Sequence, residues 1–475
     1  MIKKIFSHSL LYAIGPQIPR VVSIFILPFT TKYLTPEDYG TSALITAYTA
    51  ALTGIKDLGI LVLLVNFFFQ RTQTWKLLWR KLYGYVILWL PIYVLIQGIV
   101  IYLALPLSQL HHFVFVFLCY SIPVLLFDIP ILFGSRYLQL SQKPLPIAII
   151  SAFSGLITLF ANLITIVYFK MGYLGWILST FIGLCFSFLC YSYFSLYKLQ
   201  LFPIVRIQKQ NLKNLLKISL PTVPHNYSSY LLNTSDRAIL SVYKTPIESI
   251  GIYNLAYTFG NYLEIFGNAV GMAVGPFYSK IYASDVPDKN ERIRTLTFFL
   301  QASFILICAI VALWIKEIFQ ILISNNELKV AYSFSVIIIL AYAYRPFYWS
   351  NINLLIFYKK TSALWKITFI GGIINVLLNL ILIPFLGIWA TTINTFISFL
   401  FIGFYGGFLS KTKELGRTNF KEIQWIIILV LVSTVIYFNK DAGTFLKLGI
   451  SVFLAIAYLF YIKRLLPFLK ALNNT

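Results

Sequence analysis

Charge is what this chain has least of. Only 11% of its 475 residues are Asp, Glu, Lys or Arg, where soluble domains carry about 25%, so a water-soluble globule is excluded at the outset. Acids are the rarer kind, 15 against 38 basic residues. Histidine and cysteine are also sparse, four of each. Cys119, Cys185, Cys190 and Cys308 all fall inside apolar runs and read as small core residues, not as disulfides or metal ligands. His111 and His112, adjacent in a short loop, are too few for a metal site. The chain has no GxxxxGK[ST] loop to cradle nucleotide phosphates and no HExxH pair. ATP hydrolysis of that type and zinc hydrolysis are therefore not expected, and nothing calls for a cofactor. Long polar loops are missing too, which leaves no room for a soluble domain.

What fills the chain instead is apolar sequence: 59% hydrophobic residues and 17% aromatics, with a mean hydropathy of +0.81. A spanning helix needs about 20 predominantly apolar residues. Such runs lie near 8–31, 40–65, 82–105, 112–134, 146–168, 173–196, 216–242, 248–274, 296–315, 331–356, 363–385, 387–409, 423–438 and 443–462. The composition predicts an all-α polytopic membrane protein of about 14 transmembrane helices. Its N-terminal "MIKKIFSHSLLYAIG" looks like a signal peptide. The apolar run continues past Pro16, Pro19 and Arg20 without a small-residue cleavage site, so a retained first helix is expected.

The net charge of +23 would point to nucleic acid in a soluble protein. Here its distribution explains it. With the N-terminus inside and the sides alternating, 27 of the 38 Lys and Arg fall on the cytoplasmic side, 7 outside and 4 within helices. That bias predicts fourteen spans with both termini cytoplasmic and no nucleic-acid partner.

The chain also repeats itself. "PQIPR" at 16–20 matches "PTVPH" at 221–225, and Thr35-Pro36 with Gly40 matches Thr245-Pro246 with Gly251. "NLITIVYF" from Asn162 matches "NLILIPFL" from Asn379. The offsets of 205, 210 and 217 residues fit a duplication with small insertions. The repeat is six helices long, so both copies run in the same sense. Two parallel lobes are expected, 1–200 and 211–410, with helices 13 and 14 at 421–465 outside the repeat. That arrangement suits a transporter with a path between its lobes.

Ionisable residues inside spanning helices mark such a path by default. They are Arg20, Lys56, Asp57, Asp128, His225, Asp236, Arg237, Glu264 and Arg345. Arg20 stands about twelve residues into helix 1, roughly 18 Å along the axis, and its repeat equivalent is His225. Two basic groups at matching depth suggest a basic cavity for an anion. The plain alternative is a structural pairing of Arg20 with Asp57 or Asp128. The neighbouring Pro pairs should kink both helices. Arg345 lies among aromatics in "AYAYRPFYW", with Glu264 as its natural partner. Lys56 and Asp57 are expected near an interface, and Asp128, two residues before Pro130, could cap a broken helix. Asp236 and Arg237 are neighbours, so in a regular helix their side chains diverge by about 100° and each needs another partner. "NYS" at Asn226 and "NTS" at Asn233 match the glycosylation pattern but fall within a span.

The run "ISLPTVPHNYSSYLLNTSDRAILSVYKTPIESIGIYNLAYTFG" resembles helices 7 and 8 of the polysaccharide transporters. These are bacterial flippases for lipid-linked O-antigen and capsular repeat units, within the multidrug/oligosaccharidyl-lipid/polysaccharide flippase superfamily. Pro221, Ser235-Asp236-Arg237 and Gly251-Ile252-Tyr253 carry the resemblance, with "PEDYG" at 36–40, "DLGI" at 57–60 and "AVGPFYSKIY" at 273–282. It implies a non-enzymatic carrier in the bacterial cytoplasmic membrane. The carrier would flip an undecaprenyl-diphosphate-linked oligosaccharide by alternating access, among membrane lipids and alongside a polysaccharide polymerase. Arg20, His225, Arg345 and Glu264 are the expected pathway residues. Asp236, Arg237, Asp57 and Asp128 are expected to be structural or cavity-mouth charges, with Asp236 tied to the turn before Gly251 and Arg237 reaching outward. A cation-coupled multidrug exporter is the alternative, disfavoured because helix 1 carries Arg20 and no acid. A membrane polymerase or ligase is disfavoured by the short outer loops.

Overall fold

The computed structural model describes residues 2–205, 209–220, 223–284, 286–360, 363–409, 412, 414–416 and 418–473, without the side chains of 2–14, 16, 209–212, 214, 224–226, 365 and 466–473. The His225 side chain and all of Pro221 therefore lie outside the described residues.

Among the described residues the chain is helical almost throughout and contains no strand. Every expected apolar run is a helical segment. In order these are α1 (Ile2–Thr30), α2 (Pro36–Gln70), α3 (Trp75–Ala104), α4 (Leu107–Leu140), α5 (Pro144–Tyr168) and α6 (Tyr173–Lys198), then α7 in pieces between 209 and 242. There follow α8 (Ile247–Ala283), α9 (Lys289–Leu313), α10 (Asn326–Phe357), α11 (Leu364–Leu386), α12 (Ile388–Tyr405), α13 (Glu422–Asn439) and α14 (Thr444–Asn473). Eleven of them are long and apolar enough to cross a bilayer. The others are α1, whose apolar Gln17–Thr30 stretch is shorter, the interrupted α7, and the 37-residue α8. The chain is a multi-pass helical membrane protein.

The residues divide into two compact units, Met1–Tyr230 with Leu322–Asn325, and Leu231–Ile321 with Asn326–Thr475. In the first, α3 presents Trp79, Leu82, Val86, Leu90 and Tyr93 on one face at helical spacing, packed on Leu63 and Leu64 of α2 and Phe133 of α4. Lipid is as apolar as these side chains, so hydrogen bonds and close backbone approach specify the packing. The Trp79 indole donates to Leu64 O and that of Trp89 to Ile55 O, both at 3.1 Å.

The internal repeat has a geometric counterpart in each unit. Gly172, before α6, has φ 55° and ψ −136°, and Gly387, before α12, has φ 55° and ψ −134°. L-residues avoid this region, so each helix starts from a turn that favours glycine. Just upstream, Asn162 Oδ1 accepts from the Ser179 hydroxyl, and Asn379 Oδ1 accepts from Asn394 Nδ2 at 2.9 Å. Each asparagine thus ties a helix to its successor at the same place in both copies. The expected kink of the first helix does not form, since α1 runs as one helix through Pro16 and Pro19; the expected kink at Pro221 lies outside the described residues.

Candidate functional site

The membrane-embedded charges form separate sites in the two units. In the first unit, α2 breaks at "DLGI", where Leu58 and Gly59 adopt φ 51° and 69°. Asp57 Oδ1 accepts the Gly59 amide there at 3.2 Å, so this carboxylate serves its own turn. Lys56, the last residue before the break, reaches Asp128 of α4 at 2.7 Å. Asp128 directly follows a wide π-turn over Pro123–Phe127, a distortion that re-aims the helix face after it. The expected partners of Arg20 are thus both engaged elsewhere. Arg20 itself is exposed on α1 and makes no ion pair among the described residues. Lys56 is one half of a half-buried ion pair.

That pair lines an open cavity of about 420 Å³ among α2, α3, α4 and α6. One wall is a hydroxyl stripe on α2: Ser42, Thr46, Thr49 and Thr53 recur at helical spacing and share a face. Facing it are Tyr93 and Gln97 of α3, Tyr120 of α4, and Trp176 with Thr180 of α6. Gln97 is 3% exposed, and its Oε1 has no hydrogen-bond partner among the described residues.

In the second unit, α7 is broken at Thr234, whose φ of −138° and ψ of −29° end one piece, Val223–Asn233, and start the next, Ser235–Val242. The break overturns the expectation that Asp236 and Arg237 face apart. Arg237 Nη1 lies 2.8 Å from Asp236 Oδ1: both residues stand in the first turn after the break, and the long arginine side chain folds back onto its neighbour's carboxylate. Carbonyls freed by the break are satisfied locally: Ser235 Oγ donates to Leu231 O, and Arg237 Nη1 donates to Asn233 O. Nor does Arg237 reach outward. It is 5% exposed, with its guanidinium 4.2 Å from the Tyr257 ring centre and 5.0 Å from that of Tyr253. Asp236 Oδ2 accepts from the Tyr253 hydroxyl, two residues beyond Gly251, so this carboxylate does hold α7 to the start of α8. Asn233, in the glycosylation-like triplet, accepts from the Tyr257 hydroxyl within the unit.

Arg345 of α10 is 6% exposed. Its Nη2 lies 3.1 Å from Glu264 and its Nη1 donates to Asn268 at 2.7 Å, both on α8. The Tyr342 hydroxyl donates to the same carboxylate at 3.4 Å, and the Tyr342 and Tyr344 rings flank the guanidinium. Gly267 lets the arginine lie across α8, since a Cβ there would stand 2.6 Å from Arg345 Cδ. Arg345 follows a short 3₁₀ turn, Tyr342–Tyr344, and stands 217 residues after Asp128.

Sequence reasoning paired Glu264 with Arg345 but missed Lys56 with Asp128 and all of the hydroxyl stripe. The stripe's signal was available as Ser and Thr recurring every three to four residues along α2.

The second unit also holds a groove of about 550 Å³ between α9, α13 and α14. Its lining is mostly apolar and aromatic, with Arg294, Lys421 and Arg464 set against one acid, Glu291.

Residues 2–282 match the family model described as polysaccharide biosynthesis protein, and residues 221–381 match the MatE model. No curated protein matches the chain. Among solved structures, the lipid II flippase MurJ in an inward closed conformation superposes with a TM-score of 0.72 at 14% identity, covering 96% of this chain and 99% of that one. An inward-facing multidrug resistance MATE family transporter of the MOP superfamily gives 0.57 at 13%, covering 90% and 96%. The Vibrio cholerae MATE transporter VcmN gives 0.55 at 14%, covering 86% and 95%. At these identities the likeness is one of fold.

Proposed function

The chain belongs to the polysaccharide biosynthesis protein family, and from that premise we propose that it flips a lipid-linked oligosaccharide across the bacterial cytoplasmic membrane. The observation that carries this reading is the hydroxyl-lined cavity inside an otherwise apolar helical unit. A polar interior costs stability in a membrane protein unless a polar cargo or water occupies it. The groove by α13 and α14 supports the lipid half of the reading, since a mostly apolar lining with three basic residues to one acid suits an acyl or prenyl chain with an anionic head. On this reading the cargo is an undecaprenyl-diphosphate-linked O-antigen or capsular repeat unit, a polymerase consumes it outside, and both termini are cytoplasmic. Arg20, His225, Arg345 and Glu264 then belong to the path, with Arg20 the cation left free to meet the diphosphate.

The test is to delete the gene and follow surface polymer and the leaflet in which lipid-linked repeat units accumulate. Loss of polymer with units held on the cytoplasmic side is expected, restored by the wild-type chain and poorly by Arg20→Ala. Normal polymer in the deletion strain would overturn the reading. A second reading, a cation-coupled exporter, draws on the MatE match over residues 221–381. Against it, Asp128, the carboxylate lining the first cavity, is paired with Lys56. Drug resistance lost on deletion, with polymer intact, would favour the exporter.

A further inference from the structure

The groove between α9, α13 and α14 is layered along its length. At one end stand Arg294, Lys421 and Arg464 with one acid, Glu291. Among the described residues none of these three cations is in an ion pair. The Nε of Arg294 donates to Asn419 O at 3.1 Å, which fixes the guanidinium at that end. A turn further in, the rings of Phe298 and Tyr461 flank Trp425, with centres 5.3 and 6.0 Å from it. Beyond them the walls are Ala302, Ile305, Ala309, Leu454 and Ala457, whose small members leave space between α9 and α14. Charge, then aromatic rings, then hydrocarbon is the order of layers through one membrane leaflet. The dimension fits as well. From the aromatic layer to its far end, the groove follows α9 from Phe298 to Ala309 and α14 from Tyr461 back to Leu454. At 1.5 Å per residue these stretches are about 16 and 10 Å long, against about 15 Å for half of a hydrocarbon core.

We propose that this groove holds one anionic glycerophospholipid of the inner leaflet, its phosphate among Arg294, Lys421 and Arg464 and an acyl chain along α9 and α14. The proposal takes its topology from the flippase reading, in which both termini are cytoplasmic and the basic end of the groove meets the cytoplasmic surface. That surface carries anionic lipids, and basic recesses between helices facing it bind their head groups. Three cations against one acid leave this end with a net positive charge, which an anionic head neutralises and a zwitterionic head does not. Length chooses between the two kinds of chain that such a lining suits. An acyl chain ends within one leaflet, as the groove does, whereas an undecaprenyl chain outruns it. Two of the three walls, α13 and α14, also lie outside the six-helix repeat read from the sequence. The bound lipid is thus a resident that fastens the added helices to α9, not a passing cargo.

The full chain, purified and stripped of lipid in detergent, is titrated in native mass spectrometry with three probes: phosphatidylglycerol, phosphatidylcholine with the same acyl chains, and undecaprenyl phosphate. Phosphatidylglycerol is expected to bind at one site at least ten-fold more tightly than phosphatidylcholine. Arg294→Gln, Lys421→Gln and Arg464→Gln should each weaken it about five-fold, equivalent to about 1 kcal/mol per basic residue. Lys360→Gln, on an exposed turn outside the groove, should leave it unchanged. Ala457→Phe fills the groove from an exposed position while keeping every charge. With its melting temperature checked, it should weaken phosphatidylglycerol at least ten-fold and leave undecaprenyl phosphate as in wild type. Equal binding of the two phospholipids, wild-type affinity in Ala457→Phe, or a loss in Lys360→Gln as large as at the three groove cations would each overturn the proposal. So would undecaprenyl phosphate binding more tightly than phosphatidylglycerol and losing that affinity in Ala457→Phe, which gives the groove to the cargo. The flippase reading stands apart: it fails only if deletion leaves polymer normal, whichever lipid lies here.

Discussion

Lys56 and Asp128 of the first unit, and Glu264 and Arg345 of the second, are ion pairs between corresponding helices of the two copies with the signs exchanged. The cation is on α2 and the acid on α4 in one; the acid is on α8 and the cation on α10 in the other. The first pair is 30% and 22% exposed and opens on a cavity; in the second the acid, Glu264, is 33% exposed and only the cation, Arg345 at 7%, is enclosed and walled by tyrosine. The two sites thus share an inter-helix tether and differ in its sign. The tether's setting decides its energetic weight, because a charge that can reach water survives the loss of its partner and one sealed from water does not.

The sharpest way to break the comparison is to remove the acid from each pair. Glu264→Ala strands Arg345 where little water reaches, and a loss of about 3–5 kcal/mol is expected. Asp128→Ala leaves Lys56 beside the cavity and should cost no more than about 1 kcal/mol. Melting of the purified protein compares the two, and equal losses would end the distinction. Asp236→Ala should resemble Glu264→Ala, since Arg237 is as deeply enclosed, and its melting temperature should fall by a similar amount.

The paired glycines sharpen the comparison at an intermediate scale. Gly387→Ala meets only open space, so its cost is that of the backbone conformation, about 1–2 kcal/mol. Gly172→Ala carries the same backbone cost and also drives a methyl into the Asp38 carboxylate. That carboxylate caps α2 through Thr35 and accepts the Tyr173 amide at 2.9 Å. Gly172→Ala should therefore melt lower than Gly387→Ala.

The smallest effect belongs to the exposed cluster that joins the short helix Ile315–Leu322 and the start of α10 to the loop between α13 and α14. Burial works to raise the Asp441 carboxyl, but hydrogen bonds from Lys316 and Tyr332, with Lys440 nearby, outweigh it and hold the group at about 2. The bond to Asp441 raises Lys316 in turn, against partial burial. A lowered acid stabilises fully above its ordinary range, and the benefit vanishes as pH falls toward 2. A raised lysine stabilises below its ordinary value near 10.5 and ceases to do so only as pH climbs past it. Asp441→Asn should thus melt slightly below wild type at neutral pH, and the two curves should converge in acid.

The number of helices was legible because lipid demands long apolar runs whatever their neighbours. Glu264 with Arg345 was legible too, since a lone acid and a lone cation in adjacent greasy helices have few alternatives. The break at Thr234 was not. "NTSDR" contains neither Gly nor Pro, and only the tyrosines of α8 make it worth giving up helical bonds to enclose Arg237. Lys56 with Asp128 was hidden for another reason: 72 residues separate them, and the π-turn that aims Asp128 leaves no mark in composition.

That π-turn has a consequence for descent. A wide turn holds one residue more than a regular one, and the 3₁₀ turn before Arg345 is tighter than regular. The turns ahead of the two charges thus depart from regular winding in opposite senses. Gain or loss of a single codon ahead of such a residue swings everything beyond it by about a quarter-turn. Lineages of this architecture can re-aim a whole wall of the cavity in one mutational step, without altering any side chain in it.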